Sequence, residues 1–555
     1  QMPKPIALLS VYNKTGIDVF AKQLAELGWD IYASGGTAKA LTDASIEVKD
    51  VADLIGGTAI LGHRVVTLSR EISAGLLADK DSSNDLEEMN KLRIPIIDLV
   101  CVDLYPLEEA IAKPDATKQD VIQQTDIGGP TMLRSAAKGR RIVVSNIDQR
   151  QEVIDWLKSD MPNKEEFIDK LAASAEYEAA RYILASAKYL NGTEITGEAH
   201  KLNSLTKYGE NPWQTPAGLY ADNRVNSDPL GLDQFQHVKG IEKSFINITD
   251  VDRLLQTVTH IAAVFEKNFS KVPSIAVGVK HGNACGAGVS DNHVDAIKKM
   301  IDGDTRAIFG GVVMLNGPIT EDVARTLIEY QMPENNKRLL DGVIGSEVDQ
   351  AALDILSRNK LRVVTNKALS SLSEHSLDQK RRLRPVRGGL LEQPNYTYVL
   401  DFSAEYMQFN GELNDQQRKD MALAWAIGST SNSNTICLVK NGQLIGNGVG
   451  QQDRVGAGQL ALTRTTNNFP EIADTENEIV ITIKIDKTKL SGSSAYSDSF
   501  FPFPDGPELL AKAGIKAILT SSGSVGDQKV IETLNSYKVA TAMLPDAIGR
   551  GFYMH

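Results

Sequence analysis

The chain has 555 residues, enough for three or four globular units at roughly 150 residues each. Charged residues make up 23% and the hydrophobic set 42%, ordinary soluble usage that speaks against disordered, collagen-like and membrane classes. The 59 lysines and arginines against 71 acidic residues give a net charge of -12, which argues against coating nucleic acid and leaves room for a small anionic ligand held by local groups.

From the N-terminus, short apolar runs alternate with helical patterns: Ile6 to Val11, Ile17 to Leu27, Trp29 to Ala33, Thr37 to Ala44, then Ile96 to Val102 and Ile142 to Ser145. This rhythm predicts parallel strands with crossover helices. Helices are predicted over Arg150 to Leu157 and Lys164 to Leu190, and the periodicity lapses in Asn191 to Thr206, which puts the main domain boundary near residue 198. Further on, Lys280-His-Gly-Asn-Ala-Cys-Gly-Ala-Gly-Val289 and Lys440-Asn-Gly-Gln-Leu-Ile-Gly-Asn-Gly-Val449 share the frame K-x-G-x-x-x-G-x-G-V, each behind an apolar run. Their lysines lie 160 residues apart, about one domain, so either an α/β unit is duplicated or two glycine-rich turns coincide by chance. The basic stretch Lys380, Arg381, Arg382, Arg384, Arg387 reads as a solvated connector.

Cys101, Cys285 and Cys437 are too few and too scattered for a disulfide framework, and no CxxC pair is present, which fits a reducing cytoplasm. No apolar run approaches the roughly 18 residues that span a bilayer, and Ile6 to Val11 is too short for a signal-peptide core. Gln1 ahead of Met2 reads as an added residue.

Three turns suit a phosphate. Ser34-Gly-Gly-Thr37 lies between a strand and a helix, so its N–H groups face an anion at a helix N-terminus. Ser10-Val-Tyr-Asn-Lys-Thr-Gly16 adds Lys14 and hydroxyls at the neighbouring strand end, where open α/β sheets bind ligands. Asp126-Ile-Gly-Gly-Pro-Thr131 precedes a helix carrying Arg134 and Lys138. Each alone also suits a tight connection; three in one sheet domain point to a phosphorylated ligand. Neither GxGxxG nor a P-loop is present, which argues against a dinucleotide or a nucleoside triphosphate.

Lys280 and His281 enter their glycine-rich turn from a buried-looking strand. A lone histidine reads as structural, but the adjacent ammonium favours a neutral imidazole, as a general base requires. Asn434 precedes the equivalent strand of the second repeat and either caps it or offers an amide to the same cleft. His281 and Cys285 invite comparison with zinc nucleobase deaminases, yet the glutamate beside the histidine and the downstream CxxC are missing, so no zinc site is expected. Asp498-Ser-Phe-Phe-Pro-Phe-Pro-Asp-Gly506 forms either a rigid apolar wall for a flat aromatic ligand or an ordinary packed loop.

Together these motifs resemble the bifunctional purine biosynthesis family that joins AICAR transformylase to IMP cyclohydrolase, over essentially the whole chain. Ser10-Val-x-x-Lys-Thr-Gly16, Ser-Gly-Gly-Thr-Ala-Lys39, Leu-Tyr-Pro106, Asp-Ile-Gly-Gly-Pro-Thr-Met-Leu-Arg134 and Ala-Ala-Lys138 match its N-terminal half. Tyr-Gly-x-Asn-Pro-x-Gln214, Lys-His-x-Asn-x-Cys-Gly286, Phe-Gly-Gly311, Val-Arg-Gly-Gly-Leu-Leu391, Ser-Asn434, Gly-Gln-Gln-x-Arg454 and Phe-Phe-Pro-Phe-x-Asp-Gly506 match its C-terminal half.

The resemblance implies an α/β fold: a methylglyoxal-synthase-like parallel-sheet domain over residues 1–198, and over 199–555 a duplicated cytidine-deaminase-like α/β/α domain, split at about 390. It implies a cytoplasmic homodimer with shared transformylase sites, small-molecule substrates AICAR and 10-formyltetrahydrofolate, no required metal, and no nucleic-acid or membrane partner. Lys280, His281 and Asn434 would be catalytic. Lys207, Tyr208, Arg550 and Phe552 would contact the nucleotide, and Phe309, Gly310, Gly311, Asp341, Phe501, Phe503 and Asp505 the folate side, with Gln451 and Arg454 also in the transformylase site. The cyclohydrolase site would comprise Ser10, Lys14, Ser34, Gly36, Thr37, Arg64, Thr67, Tyr105, Asp126, Gly128, Gly129 and Lys138.

Departures from the family pattern are Lys207 for an arginine, Trp213 for a histidine, Val66 for a site lysine, Ser69 for a histidine, Tyr12 for a serine and Asp103 for an asparagine. Loss of a cation and gain of an acid weaken anion binding in the N-terminal half. The rival readings are therefore a transformylase whose N-terminal domain is a degenerate or regulatory nucleotide-binding module, and a zinc-free deaminase.

Overall fold

The computed structural model describes residues 3–221, 228–466 and 470–554, and the chain divides into two compact units, Gln1–His200 and Lys201–His555. In the first unit the strand Ile6–Val11 is buried at every position but Ser10, and helix Ile17–Glu26 buries Ile17, Phe20, Ala21 and Leu24, the spacing of one helical face. The alternation of strands and helices yields a sheet of five parallel strands, in the order Lys49–Asp50, Asp30–Ala33, Ile6–Val11, Leu99–Asp103, Ile142–Val144. The strand order reverses direction beside Ile6–Val11, so the loops after it and its neighbours meet at the carboxyl edge, where such sheets hold ligands. The helix expected from Thr37 begins two residues earlier, Gly35–Asp43, because Gly35 enters it at φ 52°, which favours glycine.

In the second unit twelve strands form one sheet. One half runs Gln408–Asn410, Ala540–Pro545, Ala517–Ser522, Ser494–Ser497, Ile436–Lys440, Gln443–Gly448; the other continues Asn283–Ser290, Ser274–Lys280, Val312–Leu315, Gly342–Gly345, Arg362–Thr365, Gln236–Lys239. Read outward from the middle, each half is an antiparallel hairpin, a further antiparallel strand, two parallel ones and an antiparallel edge. Within the sheet the halves join where Gly288 pairs with Gln443. The shared frame is thus a true duplication and not a coincidence of turns.

Each glycine of the frame has a physical cause. Gly282 and Gly442, at φ 78° and 72°, close the hairpins, and the residues before them, His281 and Asn441, are also left-handed, at φ 51° and 52°. Such two-residue turns match the twist of antiparallel strands. A Cβ on Gly288 would lie 2.2 Å from the Ala296 carbonyl, and one on Gly448 2.1 Å from that of Ala457, so helices His293–Gly303 and Arg454–Arg464 rest directly on strand backbone. The basic stretch is solvated at Lys380, Arg381, Arg384 and Arg387 but is more than a connector: Arg382–Val386 and Gly389–Gln393 pair as a hairpin, and Arg382 reaches Asp252 at 3.1 Å. We expect Gly448→Ala to lower unfolding stability by about 1–3 kcal/mol through overpacking, read as a lower denaturant midpoint.

Candidate functional site

Strand Ser274–Lys280 is buried along its middle and delivers Lys280 and His281 to the surface at the hairpin turn. The lysine Nζ donates to the Phe309 carbonyl. There the loop turns through two left-handed glycines, Gly310 at φ 83° and Gly311 at φ 77°, and a Cβ on Gly311 would sit 2.8 Å from Lys280 Cγ. The Gly311 N–H donates to Asp341 Oδ2 at 3.0 Å. Lys280, His281, Phe309, Gly310, Gly311 and Asp341 therefore form one group. Lys280 and His281 line a cleft of about 470 Å³ whose other walls include Asn283, Arg306, Asn447 and Arg464.

A second group forms at the corresponding edge of the other half. The Asn434 N–H and Nδ2 both donate to the Gln451 carbonyl at 3.0 Å, which ties Asn434 to the segment that follows strand Gln443–Gly448. Arg454 pairs with Asp498, whose side chain is fully buried and whose Oδ2 also accepts the Thr435 N–H at 3.1 Å. Burial pushes the Asp498 carboxyl above its usual range, and Arg454 pulls it back. Arg550 bonds Asp546 through Nε at 2.7 Å and stacks on Phe552 at 5.0 Å, and the intervening Gly551 N–H returns to the Asp498 carbonyl. Phe501, 2% exposed, supports helix Asp505–Ala513 from beneath, whereas Phe503 is 68% exposed, so the aromatic segment is part core and part surface.

Asn283 joins the groups: its Oδ1 accepts the Asn432 N–H at 2.9 Å and its Nδ2 donates to the His281 carbonyl at 3.3 Å. Arg253 reinforces the join, donating to Thr430 O and Asn432 Oδ1 at 3.1 Å each. Neither was singled out from the sequence, although Asn283 is quoted within the repeat frame. Lys207 and Tyr208, just past strand Lys201–Thr206, have no hydrogen bond or ion pair with either group among the described residues.

In the first unit the three turns gather at the carboxyl edge. Thr37 Oγ1 accepts the Val11 N–H at 3.1 Å and donates to its carbonyl at 3.2 Å, and Lys14 Nζ donates to the carbonyls of Val11 and Tyr12 beside Gly36. Ser10 is the penultimate residue of strand Ile6–Val11, and Ser34 precedes helix Gly35–Asp43. Asp103 accepts the Asn13 N–H at 2.7 Å. Burial raises its carboxyl and lowers the Lys14 ammonium, and each draws the other back. Tyr105 packs edge-on against Tyr12 at 4.8 Å. Asp126 Oδ1 accepts the Gly129 N–H at 2.8 Å, and its own N–H donates to Tyr182, a phenol that burial pushes up to about 12. Thr67 abuts Gly128, where a Cβ would fall 2.8 Å from its hydroxyl. Arg64 lies in an exposed loop on the Leu61 carbonyl. Lys138 stands apart, at the far end of helix Gly128–Lys138, about 14 Å along the axis from Gly129.

Among the described residues, no group of three or more His, Cys, Asp or Glu side chains could hold a metal ion. Among the same residues, no helix is long and apolar enough to cross a membrane.

A family model described as AICARFT/IMPCHase bienzyme matches residues 136–464, and one described as MGS-like domain matches residues 16–131. The bifunctional purine biosynthesis protein PurH of Anoxybacillus flavithermus is 35% identical over 548 residues, covering 96% of this chain and 97% of that protein. PurH of Bacillus cereus strain B4264 is 36% identical over 549 residues, covering 97% and 98%. A solved structure described as the crystal structure of ForH is 33% identical and covers 34% of this chain and 99% of its own, with a TM-score of 0.30.

We expect Arg454→Met to destabilise the fold by about 3 kcal/mol at pH 8, because it leaves the buried Asp498 charge unpaired. The loss should shrink toward pH 5. A carboxylate whose folded pKa is raised is disfavoured above that pKa, and the penalty vanishes as falling pH protonates it. Thermal melts of both proteins across this range check the sign.

Proposed function

This chain belongs to the AICARFT/IMPCHase bienzyme family and catalyses the last two steps of IMP synthesis, formyl transfer to AICAR and cyclisation of the product; we propose how its residues divide that chemistry. The second unit carries the transfer, with 10-formyltetrahydrofolate as donor. The AICAR amine is delocalised into a carboxamide-bearing imidazole, so its attack on the formyl carbon needs both a proton acceptor and a cation at the developing oxyanion. His281 takes the amine proton, Lys280 faces the formyl oxygen and Asn434 orients the attacking groups. Collapse of the tetrahedral intermediate breaks the bond to N10, which leaves carrying the proton returned by the imidazole. The observation that carries this reading is the pairing of Lys280 with His281 at the mouth of the large cleft.

Phe309, Gly310, Gly311, Asp341, Phe503 and Asp505 serve the folate side, with Phe501 behind them and Gln451 and Arg454 in the same site. Lys207, Tyr208, Arg550 and Phe552 serve the nucleotide. The separation of Lys207 and Tyr208 from both groups supports a homodimer in which a second copy completes each site. Three free cysteines support a cytoplasmic setting.

The first unit carries the cyclisation, in which the carboxamide nitrogen attacks the formyl carbon and water leaves. Proximity within one molecule supplies much of the rate. The N–H groups of the Ser34 and Ser10 turns, with Lys14, hold the phosphate, and Asp126 and Tyr105 move protons.

We expect full-length His281→Ala to bind AICAR within threefold of the parent while tetrahydrofolate release falls at least 100-fold, within the range of a lost general base; unchanged turnover overturns the assignment. Supplied with formylated AICAR, that variant should still form IMP at the parent rate, and Asp126→Asn should show the converse pattern. Asp103→Asn, which frees Lys14 of an opposing acid, should tighten IMP binding about threefold to tenfold by titration calorimetry.

A further inference from the structure

Behind the Lys280 and His281 turn stands a buried carboxylate to which the transfer chemistry above gives no part. Asp250, on helix Phe245–Phe269 and 5% exposed, accepts the Gly282 N–H through Oδ1 at 2.9 Å. The duplicated half repeats the device: Asp420, on helix Asp415–Gly428, accepts the Asn441 and Gly442 N–H groups, both at 2.8 Å. There both carboxylate oxygens hold the turn. At Asp250 only Oδ1 does, and among the described residues Oδ2 accepts no hydrogen bond. The charged groups that act on Asp250 include His281 on the turn whose Gly282 N–H it accepts, Arg253 on its own helix and Asp341 beside the adjoining glycine loop. Arg253 is committed to Thr430, Asn432 and the ring of Tyr553. Only the imidazole changes its charge during the transfer.

We propose that Asp250 is a positioning residue for formyl transfer: one oxygen fixes the left-handed turn that presents Lys280 and His281, and the other offsets the charge the imidazole acquires with the amine proton. The inference rests on His281 being the proton acceptor. Asp420 retains only the first task, since its turn carries Asn441 in place of histidine, and so provides a control within the same chain.

The test uses full-length Asp250→Asn, which keeps an acceptor for the Gly282 N–H and removes the charge. Its kcat for tetrahydrofolate release should fall about 30- to 100-fold with the AICAR KM within threefold. The acid limb of its kcat–pH profile should move to lower pH, because loss of a neighbouring anion makes the accepting base easier to deprotonate. The double variant Asp250→Asn, His281→Ala should be no slower than His281→Ala alone. Asp420→Asn should keep kcat and the profile within twofold.

A kcat within threefold for Asp250→Asn, an unmoved limb, additive losses in the double variant, or an equal loss in Asp420→Asn overturns the inference. If His281→Ala itself keeps turnover, the functional reading fails instead. Should Asp250→Asn not fold, Asp250→Ser, which also offers an acceptor to Gly282, is read in the same cycle.

Discussion

The second unit is organised by a two-residue turn in which neither residue can adopt the usual right-handed backbone. Antiparallel strands joined this tightly need both connecting residues in the left-handed region, which costs a residue with a Cβ about 1–2 kcal/mol. Glycine at the second position removes half of that cost. The first position holds Asn441 in one half and His281 in the other. Asparagine and histidine are both among the residues with a Cβ that enter this region more readily than most, and in each half a carboxylate behind the turn, Asp420 or Asp250, holds it through backbone N–H groups. The constraint reaches further, because the Val289 N–H donates to the Gly442 carbonyl at 2.9 Å, one residue from the pairing that joins the two halves. Turn and junction are one structure.

Duplication explains why a scaffold of glycines can serve chemistry without sharing it. The glycines of the frame are fixed by backbone contacts and recur in both halves, whereas the positions between them are free to diverge. Asn283 bridges to Asn432, while its counterpart Gln443 donates to the Lys299 carbonyl at 2.8 Å. His281 faces a cleft, while Asn441 only completes a turn. On the proposed assignment the reacting groups sit in one copy of the frame, and the other copy contributes Asn434 and the Arg454 pair from the strand edge beside it. A site built across the pseudo-symmetric junction thus draws unlike residues from like positions.

This logic also sets what the sequence could disclose. Parallel strands and crossover helices in the first unit were legible because period and length of the apolar runs differ between strand and helix. The duplication was legible because its glycines answer to backbone sterics and cannot drift. Asp250 and Asp420 were not, since the helix bearing Asp250 is longer than its counterpart and shifts the acid relative to the frame: Asp250 precedes its turn glycine by 32 residues, Asp420 by 22. The solvated character of the basic stretch was legible, but not its hairpin pairing or the docking of Arg382, because charge composition does not reveal that one guanidinium will reach a helix acid. Phe501 and Phe503, two positions apart, point to opposite environments, a distinction that depends on the helix packed against one of them.

The first unit poses the opposite problem, a site whose residues depart from its family while the fold around them stays intact. Three of the departures have acquired structural work. Tyr12 packs against Tyr105, Asp103 receives the Asn13 N–H, and Ser69 caps helix Arg70–Leu77 by accepting from Ile72 at 3.1 Å. Val66 has no such task, and no cation replaces the lysine of the family at that position. With Lys14 shared between an opposing acid and two carbonyls, the phosphate binding proposed for this unit rests on the backbone N–H groups of the turn that opens helix Gly35–Asp43. Those groups are fixed by the fold and cannot be lost by substitution of a side chain. An intramolecular ring closure asks little more than a held phosphate and aligned reacting atoms, so a site poorer in charge remains consistent with the reaction.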